Sequence, residues 1–282
     1  MRGLAAFVLV AFVVGGCVDV TSGPSPTPVA HATGERDVVL RMSFGGGLPY
    51  PGLTFKDPPA YTLYGNGHLI YAGERSTNSS GERQLMQAQM SDDQVDALLS
   101  YALGPAGLAD ARERYADAPI YDASSTFFEV HAAGVDKRVA VYALGYPIPN
   151  VPDAAARTAL DRLANQLGSA GSKAQAGEFI DLGQYEPEAY EMTLAKPYSS
   201  TQPTASWPWP ELQPTDFTPD ANGNRVRVVT ADQGQAVLDL GINHDLVVTG
   251  PDGVAYLVRI RPLLPDEMTY TGEIEPEDHE EP

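Results

Sequence analysis

Tyr61-Thr62-Leu63-Tyr64-Gly65-Asn66-Gly67-His68-Leu69-Ile70-Tyr71 is the clearest folding signal in the 282-residue chain. Two runs rich in aromatic and branched residues flank Asn66-Gly67, a pair that supplies the positive φ angles that tight hairpin turns require. The stretch therefore predicts a β-hairpin. Alternation places Tyr61 and Leu63 on one face of its first strand, and Thr62 and Tyr64 on the other.

Similar strand signals occur on both sides of this hairpin. Runs of branched and aromatic residues bounded by turn residues predict strands at 37–44, 85–90, 124–132, 137–144, 188–195, 226–229, 245–249 and 254–261. Residues 179–182 could also form a strand. Several neighbouring pairs are separated by short turns, which is typical of antiparallel sheets.

Three helices are predicted between the hairpins. Ser91-Asp92-Asp93-Gln94 and Thr230-Ala231-Asp232-Gln233 each have the pattern of a capping box, in which the first and last side chains bond each other's backbone N–H groups. An apolar stripe at helical spacing follows each of them. The third helix is predicted at 154–167, with Asp153 as its N-cap.

Helices interspersed among hairpins indicate an α+β fold, with two mainly antiparallel sheet units and helices packed on one face of each. The predicted organisation, in chain order, is a lipoprotein signal peptide at 1–16, a disordered tether at 17–35, a first α+β domain at 36–168, a linker at 169–177, a second, smaller α+β domain at 178–268 and an acidic disordered tail at 269–282.

The first seventeen residues indicate export. Arg2 precedes an apolar run of about 11 residues, 4–14, whereas roughly 20 are needed to span a bilayer. Val14-Gly15-Gly16-Cys17 resembles the lipobox of bacterial lipoproteins, which implies cleavage before Cys17 and lipid attachment to its sulfur. We therefore expect the protein at the extracytoplasmic face of the cell membrane. The alternatives are an ordinary signal peptide with an incidental cysteine, or an uncleaved anchor.

Charge and cysteine content exclude several classes of function. The net charge is −19, which argues against nucleic-acid binding because phosphates attract basic surfaces. A single cysteine cannot form an internal disulfide. Residues 273–282 hold six acidic side chains and no Lys or Arg; this pattern predicts a solvated tail, with a basic partner as the alternative.

No recognisable catalytic motif is present, and no catalytic residue, metal ligand or cofactor is predicted. A Ser–His–Asp triad assembled only by folding, with His131 or His244 as the base, is the enzymatic alternative. The stretch 220–224 begins like a calcium loop but has Arg225 where the loop glycine belongs, so an ordinary Asn-Gly turn is expected.

Trp207-Pro208-Trp209-Pro210 is the predicted binding segment. Prolines beside both tryptophans favour an extended backbone, and exposed indole rings could stack on a sugar or line a peptide groove. We expect one tryptophan to pack against the helix containing Val237 or against the closing hairpin, and the other to stay at least partly exposed.

Several stretches together resemble uncharacterised secreted lipoproteins of high-G+C bacteria, in which a YGDG-type hairpin and a terminal RPLLPDE-like stretch recur. The matching stretches are 61–67, the helix that starts at Ser91, 142–145, 207–210 and Arg261-Pro262-Leu263-Leu264-Pro265-Asp266-Glu267. The resemblance implies export and lipidation but no assigned activity.

These observations favour a lipid-anchored, non-enzymatic protein that binds an envelope polymer or another exported protein and contacts the membrane through its N-terminal lipid. The alternatives are an extracytoplasmic hydrolase whose site forms only on folding, and a protein inhibitor of a secreted enzyme.

Overall fold

The computed structural model describes residues 28–47, 57–75, 83–197, 204–240 and 246–268. Within these residues the chain forms an eight-stranded sheet, a six-stranded sheet and four α-helices. The predicted α+β class is confirmed.

The first sheet is built mainly from antiparallel hairpins. Its strands are β1 (Val38–Gly46), β2 (Tyr61–Tyr64), β3 (His68–Arg75), β4 (Arg83–Gln89), β5 (Arg114–Tyr115), β6 (Ser124–Ala132), β7 (Val135–Tyr142) and β8 (Ile180–Gln184). They lie in the order β5-β7-β6-β1-β2-β3-β4-β8. Only the short β5 strand pairs in parallel, with β7.

The hairpin β2–β3 forms as predicted, with Tyr61 opposite Tyr71 and the Gly67 N–H donating to the Tyr64 carbonyl oxygen at 2.9 Å. All four residues of β2 are buried. Tyr61 and Leu63 belong to the main core, whereas Tyr64 packs in a second cluster on the opposite face. The middle of this sheet is therefore covered on both sides.

Four helices pack against the sheets: α1 (Asp92–Leu103), α2 (Ala154–Gly168), α3 (Ala170–Gln175) and α4 (Ala231–Asp239). Both predicted capping boxes are present, at Ser91 and at Thr230. Asp153 precedes α2 but makes no side-chain cap bond; its carboxylate pairs with Arg112 instead.

The segment 169–177, predicted as a linker, contains helix α3. Its small polar composition suggested a flexible connection, but Ala170 and Ala174 lie four residues apart on one helical face. Both are buried in the main core. Strand β8 then pairs with β4, so the first sheet unit extends through Gln184 instead of ending at the predicted boundary of residue 168.

The second sheet contains β9 (Ala189–Ala195), β10 (Thr204–Ser206), β11 (Thr218–Pro219), β12 (Arg225–Thr230), β13 (Val247–Thr249) and β14 (Ala255–Pro262), in the order β10-β13-β14-β9-β12-β11. Helix α4 contacts β9 and β12. Trp209, Met192 and Val258 are among the buried residues of its core.

The chain after β14 returns to the first sheet, and we call residues 263–268 the C-terminal clasp. Leu264 is buried in the cluster that contains Tyr64 and Ile70. The Asp266 carboxylate accepts hydrogen bonds from Arg41 at 2.6 Å and from the Tyr64 hydroxyl at 2.7 Å. The clasp therefore covers the face of the first sheet that lies opposite α1–α3.

The antiparallel register gives the first sheet two different ends. At one end, the turn end, Leu63 lies opposite Leu69 and Ala132 lies opposite Val135, so the connections are tight. At the other, the loop end, Gly46 lies opposite Ser124. The longer connections 116–123 and 143–153 leave the sheet there.

Candidate functional site

The N-terminal part of the described chain packs on the turn end. The Val29 N–H donates to Asp96 Oδ1 at 2.8 Å, the Ala133 N–H donates to the Ala30 carbonyl at 2.6 Å, and His31 forms a β-bridge with Ala132. Residues 28–35 therefore do not belong to the predicted disordered tether. His31, which lies in the stretch predicted as a tether, is half-buried.

Cys17 and the predicted signal peptide at 1–16 lie outside the described residues. Within the described part of the chain, no helix has the length and apolar character needed to cross a membrane.

The loop end carries exposed aromatic side chains. Phe44 is 48% exposed, Tyr146 is 54% exposed and Tyr121 is 92% exposed. Phe44 lies two residues before the end of β1, Tyr121 three residues before β6, and Tyr146 four residues after β7. Since β1, β6 and β7 are adjacent, the three rings lie at one end of the sheet. Among the described residues, these are the large aromatic side chains that stay exposed.

The Tyr142 hydroxyl fixes the loop that carries Tyr121. It donates to the Ile120 carbonyl oxygen at 2.8 Å and accepts from the Ala123 N–H at 3.1 Å. Because Ile120 and Ala123 bracket Tyr121, the exposed ring projects from a backbone that is bonded to β7 on both sides of it.

Arg157, in α2, holds the ends of β5 and β7 from which the two loops leave the sheet. This arginine is only 7% exposed, and its guanidinium donates to the Tyr142 carbonyl at 2.7 Å and to the Tyr115 carbonyl at 3.0 Å. One charged side chain thus joins β5, β7 and α2. The ion pair between Arg112, just before β5, and Asp153, at the end of the loop 143–153, adds a second connection.

Backbone strain is concentrated at the loop end. Four described non-glycine residues have positive φ: Asp122, Ala133, Ala143 and Asn150. Ala133 lies in the tight turn between β6 and β7, but the other three lie in or beside the two loops. Such conformations cost about 1–3 kcal/mol each and persist only where the surrounding structure holds them.

A shallow depression adjoins the loop end on the side of β5 and β7. Its lining residues are Arg114, Tyr115, Ala116, Ser125, Ala140 and Tyr142. Arg114 and Ala116 are exposed, and Tyr142 is half-buried. The depression therefore combines a cationic rim with an aromatic wall.

Both tryptophans contribute to the core of the second sheet. Trp209 is 2% exposed, and its indole N–H donates to the Gln233 carbonyl of α4 at 2.9 Å. Trp207 is half-buried; its indole N–H donates to the Leu212 carbonyl and its ring meets Trp209 edge-on at 5.0 Å. The expected division between a buried and a partly exposed ring is present, but no open two-ring platform forms.

The RPLLPDE-like stretch serves to join the two sheets. Arg261 donates to both Glu191 and Glu267 carboxylates, with the shortest contact 2.8 Å, while Asp266 bridges Arg41 and Tyr64. Burial raises the pKa of Tyr64, and the neighbouring Asp266 carboxylate raises it further. The hydroxyl therefore stays protonated and donates to Asp266.

His244 lies outside the described residues, and the hydrogen-bond partners of the other chemical candidates are structural. His131 lies between Glu129, at 2.9 Å from Nε2, and Asp136, at 3.0 Å from Nδ1, so both its ring nitrogens face carboxylates and neither faces a serine. Asp220 Oδ1 accepts from the Asn222 and Asn224 N–H groups, as in the expected turn. The described residues contain no group of three or more potential metal ligands.

Sequence reasoning missed Arg157 and the loop-end aromatics. Arg157 lies three residues before Leu160, on the apolar side of α2, and an arginine in a core-facing position was the available signal. The strand order and register show that the connection before β6 lies at the same end of the sheet as Phe44 and Tyr146, and no local stretch of sequence indicates this.

Comparison with protein-family models, with characterised proteins and with solved structures gave no match to this chain.

Proposed function

We propose that this chain is a lipid-anchored extracytoplasmic protein that binds an envelope component or another exported protein. One observation supports this function best: the N-terminal segment joins the first sheet at the turn end, whereas the exposed aromatic rings lie at the loop end. A chain tethered through Cys17 would carry its loop end away from the membrane.

The distance between the lipid and the fold supports this orientation. Eleven residues, 18–28, separate Cys17 from Val29, and even fully extended they would reach no more than roughly 40 Å. The turn end would therefore stay near the bilayer. Loops held by a rigid scaffold commonly carry binding residues, and here they are on the outward side.

Cys17→Ser tests the anchor, because only its thiol can take the diacylglycerol. The variant is expected to lose labelling by an alkyne fatty acid and to remain uncleaved or be released from the membrane, with an unchanged fold. Fractionation and far-UV circular dichroism measure these outcomes. A Cys17→Ser protein that is mature and as firmly membrane-bound as the wild type would contradict the lipoprotein proposal.

Tyr121→Cys tests the exposed side. If Cys17 is acylated, this variant has one free thiol, and a membrane-impermeant maleimide should label it in intact cells. Leu99→Cys provides a buried control, since Leu99 is fully buried in the main core. Labelling of Tyr121→Cys only after lysis would place the loop end inside the cell.

A further inference from the structure

The loop end combines two properties that ordinary folding does not require. Its aromatic side chains remain in solvent although most of the other described aromatic side chains are buried, and its backbone holds three of the four described non-glycine residues with positive φ. Strained residues tend to collect at binding and catalytic sites because the surrounding structure is arranged to hold them.

The rings are also held in a way that suits recognition of another macromolecule. Tyr121 projects from a loop bonded on both sides to Tyr142, so little backbone entropy is lost when a partner covers it. Tyrosine contributes a large amphipathic contact area through only two side-chain torsions. Tyr is among the residue types, with Trp and Arg, that are enriched at the energetic centres of protein interfaces.

Charge decides which partner fits. The loops 116–123 and 143–153 contain Asp117, Asp122 and Asp153 and no Lys or Arg. Asp117 and Asp122 are exposed, whereas Asp153 is paired with Arg112. Arg114 lies at the edge, in the depression. A second copy of the chain would bring two net charges of −19 together, and an anionic polymer would meet the same repulsion.

We propose that Phe44, Tyr121 and Tyr146, with Asp117 and Asp122 beside them, form a docking surface for a protein whose matching patch is apolar with a basic rim. The aromatic rings supply the contact area, and the carboxylates select the charge of the partner and speed association. This inference rests on the proposed binding function and specifies both the site and the class of partner.

In-cell photocrosslinking tests the surface in the full chain. Tyr121→p-benzoylphenylalanine is made in intact cells of the source organism, and the adduct is identified by mass spectrometry. Val254→p-benzoylphenylalanine is the matched control, because Val254 is 49% exposed on the second sheet unit. We expect one adduct, from position 121 only, with an exported protein of basic isoelectric point.

Two further measurements make the test specific. Tyr146→Ala should lower the yield of that adduct about tenfold, as loss of an interface centre does. Asp117→Asn with Asp122→Asn should slow binding of the purified adduct partner and weaken its salt dependence, which surface plasmon resonance measures.

The surface is disproved by an absence of adduct at position 121, by the same adducts from position 254, or by an adduct with a glycan, an acidic protein or a second copy. Fractionation of the same cells separates this proposal from the anchor. A specific adduct from a chain that is not membrane-anchored would support the docking surface and contradict lipid anchoring. An anchored chain that gives no adduct would support anchoring and contradict the docking surface.

Discussion

The two ends of the first sheet use the same strands but are held in different ways. At the turn end, glycine-containing turns and the N-terminal segment make backbone bonds, such as that from Ala133 to Ala30. At the loop end, side chains from neighbouring elements hold the backbone, chiefly Tyr142 and Arg157. A long loop can therefore be held in place by side chains that bond its backbone, whereas a tight turn is held by its own backbone bonds.

Arg157→Met should break the loop end. The variant removes the guanidinium donors from the Tyr142 and Tyr115 carbonyl oxygens. Loss of a buried hydrogen-bond partner costs about 1–3 kcal/mol, so we expect the free energy of unfolding to fall by about 2–4 kcal/mol. Urea denaturation measures the loss. Hydrogen exchange should rise in 116–123 and 143–153.

Arg162→Met is the control for this prediction, because Arg162 lies on the same helix and is exposed; its effect should stay within about 0.5 kcal/mol. If Arg157→Met raised exchange equally at Gly65–Gly67, the two ends would not be held independently.

Gly65→Ala should disturb the turn end. A Cβ atom there would lie 2.0 Å from the Ala32 carbonyl oxygen, so the N-terminal segment must move. We expect the free energy of unfolding to fall by about 1–3 kcal/mol. Proteolysis within residues 28–34 should become faster, and mass spectrometry of the fragments measures its rate.

Gly168→Ala controls for the added methyl group, since nothing lies within 4 Å of that Cβ position and alanine favours the helix. Equal protease sensitivity in the two variants would show that the N-terminal segment does not depend on the close approach at Gly65.

Tyr142→Phe should loosen only the loop that carries Tyr121. The variant removes the hydroxyl that donates to the Ile120 carbonyl and accepts from the Ala123 N–H. We expect the free energy of unfolding to fall by about 1–2 kcal/mol. Thermal unfolding measures it, and Tyr146→Phe, on an exposed ring, serves as the matched control. No difference between the two variants would mean that the loop is held by other contacts.

Tyr121→Ala should leave stability within about 0.5 kcal/mol of the wild type, because the ring is 92% exposed. Chemical denaturation with circular dichroism detection measures this small effect. A loss above about 1 kcal/mol would assign the ring a structural role and remove it from the proposed docking surface.

Local features could be predicted from the sequence, and contacts between distant segments could not. The Asn66-Gly67 turn and the boxes at Ser91 and Thr230 depend on neighbouring residues, so their patterns were sufficient. The α3 helix was missed because alanine and glycine in a polar stretch give no apolar signal. The Asp266–Arg41 contact spans 225 positions, and nothing in either local sequence indicates it.

The candidate site shows the same limit. No element is predicted between the helix that starts at Ser91 and the strand at 124–132, and long connections of this kind are often functional. The grouping of Tyr121 with Phe44 and Tyr146 required the order β1-β6-β7, which no single stretch encodes. Trp207 and Trp209 were predicted as a binding segment because indole rings can stack on ligands. In the structure, Trp209 is buried in the core of the second sheet and Trp207 packs against it.

The C-terminal clasp has a consequence for the order of folding during synthesis. Tyr64 and Ile70 are covered by Leu264, and Asp266 reaches a partner 202 positions earlier in the chain. A ribosome delivers these residues only after all eight strands of the first sheet have been made. The first sheet therefore leaves part of one apolar face uncovered until the clasp has been made, which delays completion of the native fold. If the chain is exported as proposed, that delay would keep the polypeptide in the incompletely folded state that a translocation channel requires.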